Sequence, residues 1–186
     1  MPTMIRKGSF LVATPALADP HFARSVVLVC EHGPEGTMGL IVNRPLAVEL
    51  AEILSADLVP SGASAKVHQG GPVKNDHLLF LHGFPKPGLD THPVCDGVFL
   101  GGDTEVLKAA LAAAEAPVFL RCYLGYAGWG SGQLEAEMAE GAWLLKPARA
   151  KDVFSGDLET LWDRLVGRQA GAQADPSASP QGPELN

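Results

Sequence analysis

The residues Arg121–Glu137 read Arg-Cys-Tyr-Leu-Gly-Tyr-Ala-Gly-Trp-Gly-Ser-Gly-Gln-Leu-Glu-Ala-Glu, with glycines at 125, 128, 130 and 132. Glycines ahead of a helix start let backbone N–H groups approach an anion, and the helix terminus favours negative charge. No Walker lysine follows, and the GxGxxG spacing of dinucleotide loops is absent. The competing reading is that these glycines form a loop of tight turns packed around Trp129, in which a β-branched residue at Gly128 would lower stability. Tyr126, Gly128, Trp129 and Gln133 are the candidate contact residues of the stretch. Gly70-Gly71-Pro72 and Gly101-Gly102-Asp103 are two more flexible turns. If all three turns converge, they line one rim, to which Gly70 and Gly71 would contribute.

A second group is Glu31, Asn43 and Arg44. Each follows directly on an apolar run, so the three are expected to cluster at the sheet ends. Arg44 would then clamp a carboxylate or phosphate in forked geometry. The plainer alternative is an Arg44–Glu31 ion pair or a loop brace. Six histidines and three cysteines raise the question of a metal. His77 and His82 are five apart and point to opposite faces of one strand, and no HExxH or CxxC spacing occurs. Cys122 lies mid-strand and reads as a small buried hydrophobe. Ser131 lacks the full GxSxG frame. The residues therefore give no catalytic constellation, metal or cofactor, and they lean toward binding by an unidentified protein or a small anionic ligand.

The elements that must hold these groups are legible in outline. A chain of 186 residues is long enough to bury a core unaided, and a net charge of −7 argues against direct nucleic-acid binding. An odd cysteine count without CxxC suggests no disulfide framework and a reducing, cytoplasmic setting. The short apolar run after Arg6 and Lys7 is interrupted at Thr14-Pro15, so no signal segment or membrane span is expected.

Strands are expected at 8–13, 25–30, 38–42, 66–69, 77–82, 97–101, 118–124 and 142–145. The second and third of these form a hairpin across the six-residue connection 31–36. Helical apolar spacing runs from Leu46 to Leu58, from Asp103 to before Pro117, and from Asp157 to Arg168; a short acidic helix covers 133–140. Residues 83–97, with three prolines, read as an exposed loop. The irregular interleaving predicts an α+β fold, a single domain over 1–168 with a mixed sheet and helices packed on it, and a disordered tail over 169–186.

Several motifs together carry a resemblance. They are Gly8-Ser-Phe-Leu-Val-Ala-Thr-Pro15, Val27-Leu-Val-Cys-Glu-His32, Met38-Gly-Leu-Ile-Val-Asn-Arg-Pro45, Gly70-Gly-Pro-Val73, Gly97-Val-Phe-Leu-Gly-Gly-Asp103 and Leu124-Gly-Tyr-Ala-Gly-Trp-Gly-Ser-Gly-Gln-Leu-Glu135. With Trp143 and Trp162 they make the chain, over about residues 8 to 167, resemble the YqgE/AlgH family of bacterial proteins. The resemblance implies a split, strongly bent sheet forming a pseudo-barrel, and it implies no established biochemical activity. Some members of that family carry a transcriptional-regulator label. The acidic balance and the lack of a helix-turn-helix pattern here favour an indirect role for any such regulation.

Overall fold

The computed structural model describes residues 4–54, 66–83, 91–101 and 120–173, with the side chains of 168–173 excepted. β-Branched and aromatic runs become strands. β1 (Ser9–Ala13) pairs antiparallel with β2 (Val26–Gly33), and β2 with β3 (Gly36–Ile41). Val26 to Cys30 is buried throughout, as a continuous apolar strand requires. The hairpin is tighter than the sequence suggests, because the strands extend to Gly33 and Gly36 and leave only Pro34-Glu35 between them.

β4 (Pro45–Glu49) and α1 (Leu50–Ile53) follow. The helix expected from Leu46 onward therefore begins only at Leu50, because residues 45–49 pair with β5 (Lys66–Gln69) and the ladder overrides helical spacing. Residues 55–58 of that expected helix, and the helix expected after Asp103, lie outside the described residues. β6 (Val73–His82) leads to β7 (Thr91–Cys95) and β8 (Val98–Gly101). β7 corrects the second half of the loop expected over 83–97; residues 84–90 lie outside the described residues. β7 is the terminal strand of the sheet, where a proline such as Pro93 costs the least ladder.

The largest correction concerns the glycine-rich stretch. It is not a loop but the second half of one long strand, β9 (Leu120–Gly130). Its backbone groups enter ladders with β3 from Gly39↔Ala127 to Gly36↔Gly130, so they are not offered to an anion. α2 (Gln133–Ala139), β10 (Trp143–Pro147), α3 (Ala150–Val153) and α4 (Leu161–Gln173) complete the described chain. α4 runs five residues past the boundary expected for the tail at 168; residues 174–186 lie outside the described part.

The strand order is β10-β1-β2-β3-β9-β6-β8-β7, antiparallel except for the parallel pair β5–β9. β9 serves two neighbourhoods: β3 flanks its C-terminal half, and β5 and β6 flank its N-terminal half. The result is a mostly antiparallel sheet curled into a half-barrel, an α+β arrangement with few helices among the described residues. Alternate residues feed different clusters, the two larger of the three hydrophobic cores among the described residues. Phe10, Val12, Leu28, Leu40, Tyr123 and the α4 stripe Leu161, Trp162 and Leu165 share one; Leu11, Val27, Ile41, Trp129, Leu134 and Trp143 share the other. Each large apolar side chain so buried contributes roughly 1.5–3 kcal/mol before entropy.

Candidate functional site

The segment Gly70–Pro72 leaves β5 on one edge of β9 and enters β6 on the other, with Val73 opposite Tyr126. It therefore passes directly over the backbone of β9. A Cβ at Gly71 would fall under 3.0 Å from Tyr126 and Ala127 backbone atoms, and one at Gly70 equally close to the Gly125 carbonyl. Gly125 has φ +73 and would press a side chain on the Gly71 carbonyl oxygen. Two of the three expected turns thus meet through bare backbone. The third does not join them: Leu100 pairs with Leu81, which pairs with Arg121 at the start of β9, and Gly102-Asp103 lies outside the described residues.

Toward the end of β9, cross-strand pairing sets Glu31 opposite Met38 and Met38 opposite Gly128. Directly paired residues share a face, and Tyr126, two residues before Gly128, lies on the same one. Glu31 and Gly128 are exposed, Met38 and Tyr126 half-buried. A Cβ at Gly128 would meet only ordinary contacts, 3.7 Å from Tyr126 Cε2 and 3.8 Å from Val73 Cγ2. Gly128 has no left-handed backbone, so the stability penalty expected for a β-branched residue there has no steric basis.

The opposite face of the same rows is covered by α2. Trp129 and Trp143 pack edge to face at 5.9 Å, with Phe22 against both, and each indole N–H donates at 2.9 Å to one oxygen of Glu137. Gln133 accepts from the Gly130 N–H at 3.0 Å and donates to the other Glu137 oxygen at 3.4 Å. Trp129 and Gln133 are thus struts of this cluster. His32 sits beside them, with Nδ1 2.7 Å from Thr37 Oγ1 and Nε2 3.7 Å from Glu135 Oε1. Carboxylate, imidazole and hydroxyl in that order are the parts of a nucleophile relay. Thr37, however, is buried against α2, and the neighbouring Gly130 N–H is already taken by Gln133.

Glu31 does not cluster with Asn43 and Arg44. β2 and β3 run antiparallel, so the residues ending each strand lie at opposite ends of the hairpin. Asn43 accepts from the Val26 N–H at 2.9 Å and donates to the Arg24 carbonyl at 3.0 Å. Arg44 donates to the carbonyls of His21 and, at 2.9 Å, Ala23. Both brace the loop before β2. Burial holds the Arg44 guanidinium below its usual basicity, partly offset by Asp19.

Burial pushes several interior groups toward their neutral forms. Burial pushes the Cys122 thiol up to about 12 and drives Cys30 and Tyr123 higher still. His68, packed on Tyr123 with Nδ1 3.3 Å from the Cys122 carbonyl, is held down to about 4, mainly by burial and then by the Arg121 charge. No group of three or more potential metal ligands occurs among the described residues. Sequence reasoning missed Glu137, Thr37 and His68, because nothing in their spacing marks the contacts that the curl creates.

The family model described as AlgH-like matches residues 10–174 of this curled half-barrel. The chain belongs to that family. It is 38% identical over 184 residues to a UPF0301 protein of Chlamydia caviae, covering 98% of this chain and 96% of the relative. It is 40% identical over 190 residues to one of Streptomyces coelicolor, covering 96% and 94%. The solution structure of the AlgH protein from Pseudomonas aeruginosa is similar with a TM-score of 0.71 and 34% identity, covering 95% of each chain. A Corynebacterium diphtheriae crystal structure shares the fold with a TM-score of 0.73 at 23% identity, covering 91% and 90%. No helix among the described residues is long and apolar enough to cross a membrane.

Proposed function

We propose that the protein is a non-catalytic binding module of the cytoplasm, and that its partner docks on the open sheet face built from Glu31, Met38, Tyr126 and Gly128. The observation that carries this reading is the exposed Gly128, which leaves space above the strand beside Tyr126 and Val73 while the other face of the same rows is fixed by α2. Such a surface is held from behind by α2 and from the side by the core on which Met38 and Tyr126 pack, with Glu31 and Gly128 exposed, so docking costs little ordering entropy. The alternative of an enzyme for a small anionic ligand loses its proposed anchor, since Arg44 already donates to two carbonyls. A regulatory role, on this reading, runs through a protein partner rather than DNA.

The test compares affinity capture from lysate by the wild-type chain, by Gly128→Trp, which fills the open space, and by Glu159→Ala on a remote exposed site. Loss of a captured partner on Gly128→Trp alone, at unchanged melting temperature, supports the reading. Equal capture by all three chains overturns it.

A further inference from the structure

All three cysteines are free thiols. Cys122 is sealed on β9, but Cys30 and Cys95 lie on β2 and β7, which are far apart in strand order and are returned to each other by the curl of the sheet. Gly8 stands at that closure. Its N–H donates to the Val29 carbonyl at 2.9 Å, and the position of a Cβ on it lies 3.0 Å from Cys95 Cβ. The missing Gly8 side chain is thus what lets β7 approach the Val29–Cys30 middle of β2. Cys30 and Cys95 also pack into one apolar cluster with Phe10, Val94 and Val98. A negative charge on the Cys95 sulfur is felt at Cys30.

We propose that Cys30 and Cys95 form a redox pair, and that two-electron oxidation by a hydroperoxide such as hydrogen peroxide staples β2 to β7. Cys95 is the half-buried member and meets the oxidant first. Its thiolate attacks one peroxide oxygen, the O–O bond breaks, and water leaves with the thiol proton, giving a sulfenic acid. The Cys30 sulfur then attacks the Cys95 sulfur; the S–S bond forms, the S–O bond breaks, and a second water carries away the Cys30 proton. Two thiols lose two electrons and one peroxide gains them. Burial raises both thiols, so the thiolate is scarce at neutral pH and the pair reacts slowly, needing sustained oxidant. A disulfide demands Cα atoms within about 7 Å, so its formation reports the approach of β7 to β2 directly.

Treating the full chain with hydrogen peroxide and mapping non-reduced peptides by mass tests the pair. Two of the three thiols should be lost together as one Cys30–Cys95 cross-link, reversed by dithiothreitol, with Cys122 left reduced. The oxidised chain should melt higher than the reduced one, and Cys95→Ser should show neither cross-link nor gain. The proposal is overturned by a Cys95 bond between two chains, or by sulfinic acid at Cys95 with Cys30 still a thiol. It is also overturned by survival of all three thiols where a control dithiol peptide is fully oxidised, or by a cross-link without a rise in melting temperature.

Discussion

A methyl group at Gly125 would press on the Gly71 carbonyl oxygen, and the backbone there already sits at φ +73, a region that L side chains rarely adopt. Gly125→Ala should therefore cost roughly 3 kcal/mol, combining overpacking and left-handed strain, in urea denaturation. Gly128→Val, three residues on, should stay within about 0.5 kcal/mol of wild type, as surface substitutions do. His68 makes a prediction of a different sign. Above pH 6.5 folded and unfolded chains both hold neutral imidazole there, so it costs nothing. As pH falls below 6.5 the unfolded chain takes up the proton first, and stability erodes until the folded group titrates near 4. The loss from this residue is roughly 3 kcal/mol. Stability profiles of wild type and His68→Gln should converge above pH 7 and separate between pH 6.5 and 4; parallel profiles would show that His68 titrates as in the unfolded chain.

At the scale of elements, the clamp between α2 and the sheet hangs on one carboxylate oxygen that accepts two indole N–H groups. Glu137→Ala leaves both donors without their partner and should cost roughly 2–4 kcal/mol, whereas Glu137→Gln keeps an acceptor and should cost less than about half of that. Near-ultraviolet circular dichroism should lose the tryptophan signal on Glu137→Ala before the far-ultraviolet signal changes. The elements also show where sequence reading succeeds. β2, the Leu161–Leu165 stripe and the helix at 133 declare themselves, because one local pattern dictates one buried face. β4, β7 and the second half of β9 do not. Residues 45–49 keep helical spacing yet pair with β5, and Pro93 survives because β7 is terminal. The glycines of β9 look like a loop, and the one at 125 serves a backbone crossing that only the distant Gly70-Gly71 reveals. Of the candidate surface, Tyr126, Gly128 and Glu31 share one face. Asn43 and Arg44 do not, because strand direction is not written in composition.

At the scale of the molecule, the family and the curl were legible from a handful of motifs, while the shared face required knowing which strands become neighbours. β9 joins the two halves of the sheet, yet it is the ninth of the ten strands among the described residues in chain order. A chain truncated before residue 120 keeps β3, β5 and β6 but removes the strand that pairs with each of them. Such a truncation should aggregate rather than populate a stable half, which sedimentation of the expressed fragment would check. During synthesis the earlier strands must therefore wait, with open edges, until the ribosome has released most of the polypeptide. A span threaded beneath a preceding crossover cannot be added by simple docking at a rim. The nascent chain has a long interval of exposure built into its order, and a chaperone's protection would matter most in that interval.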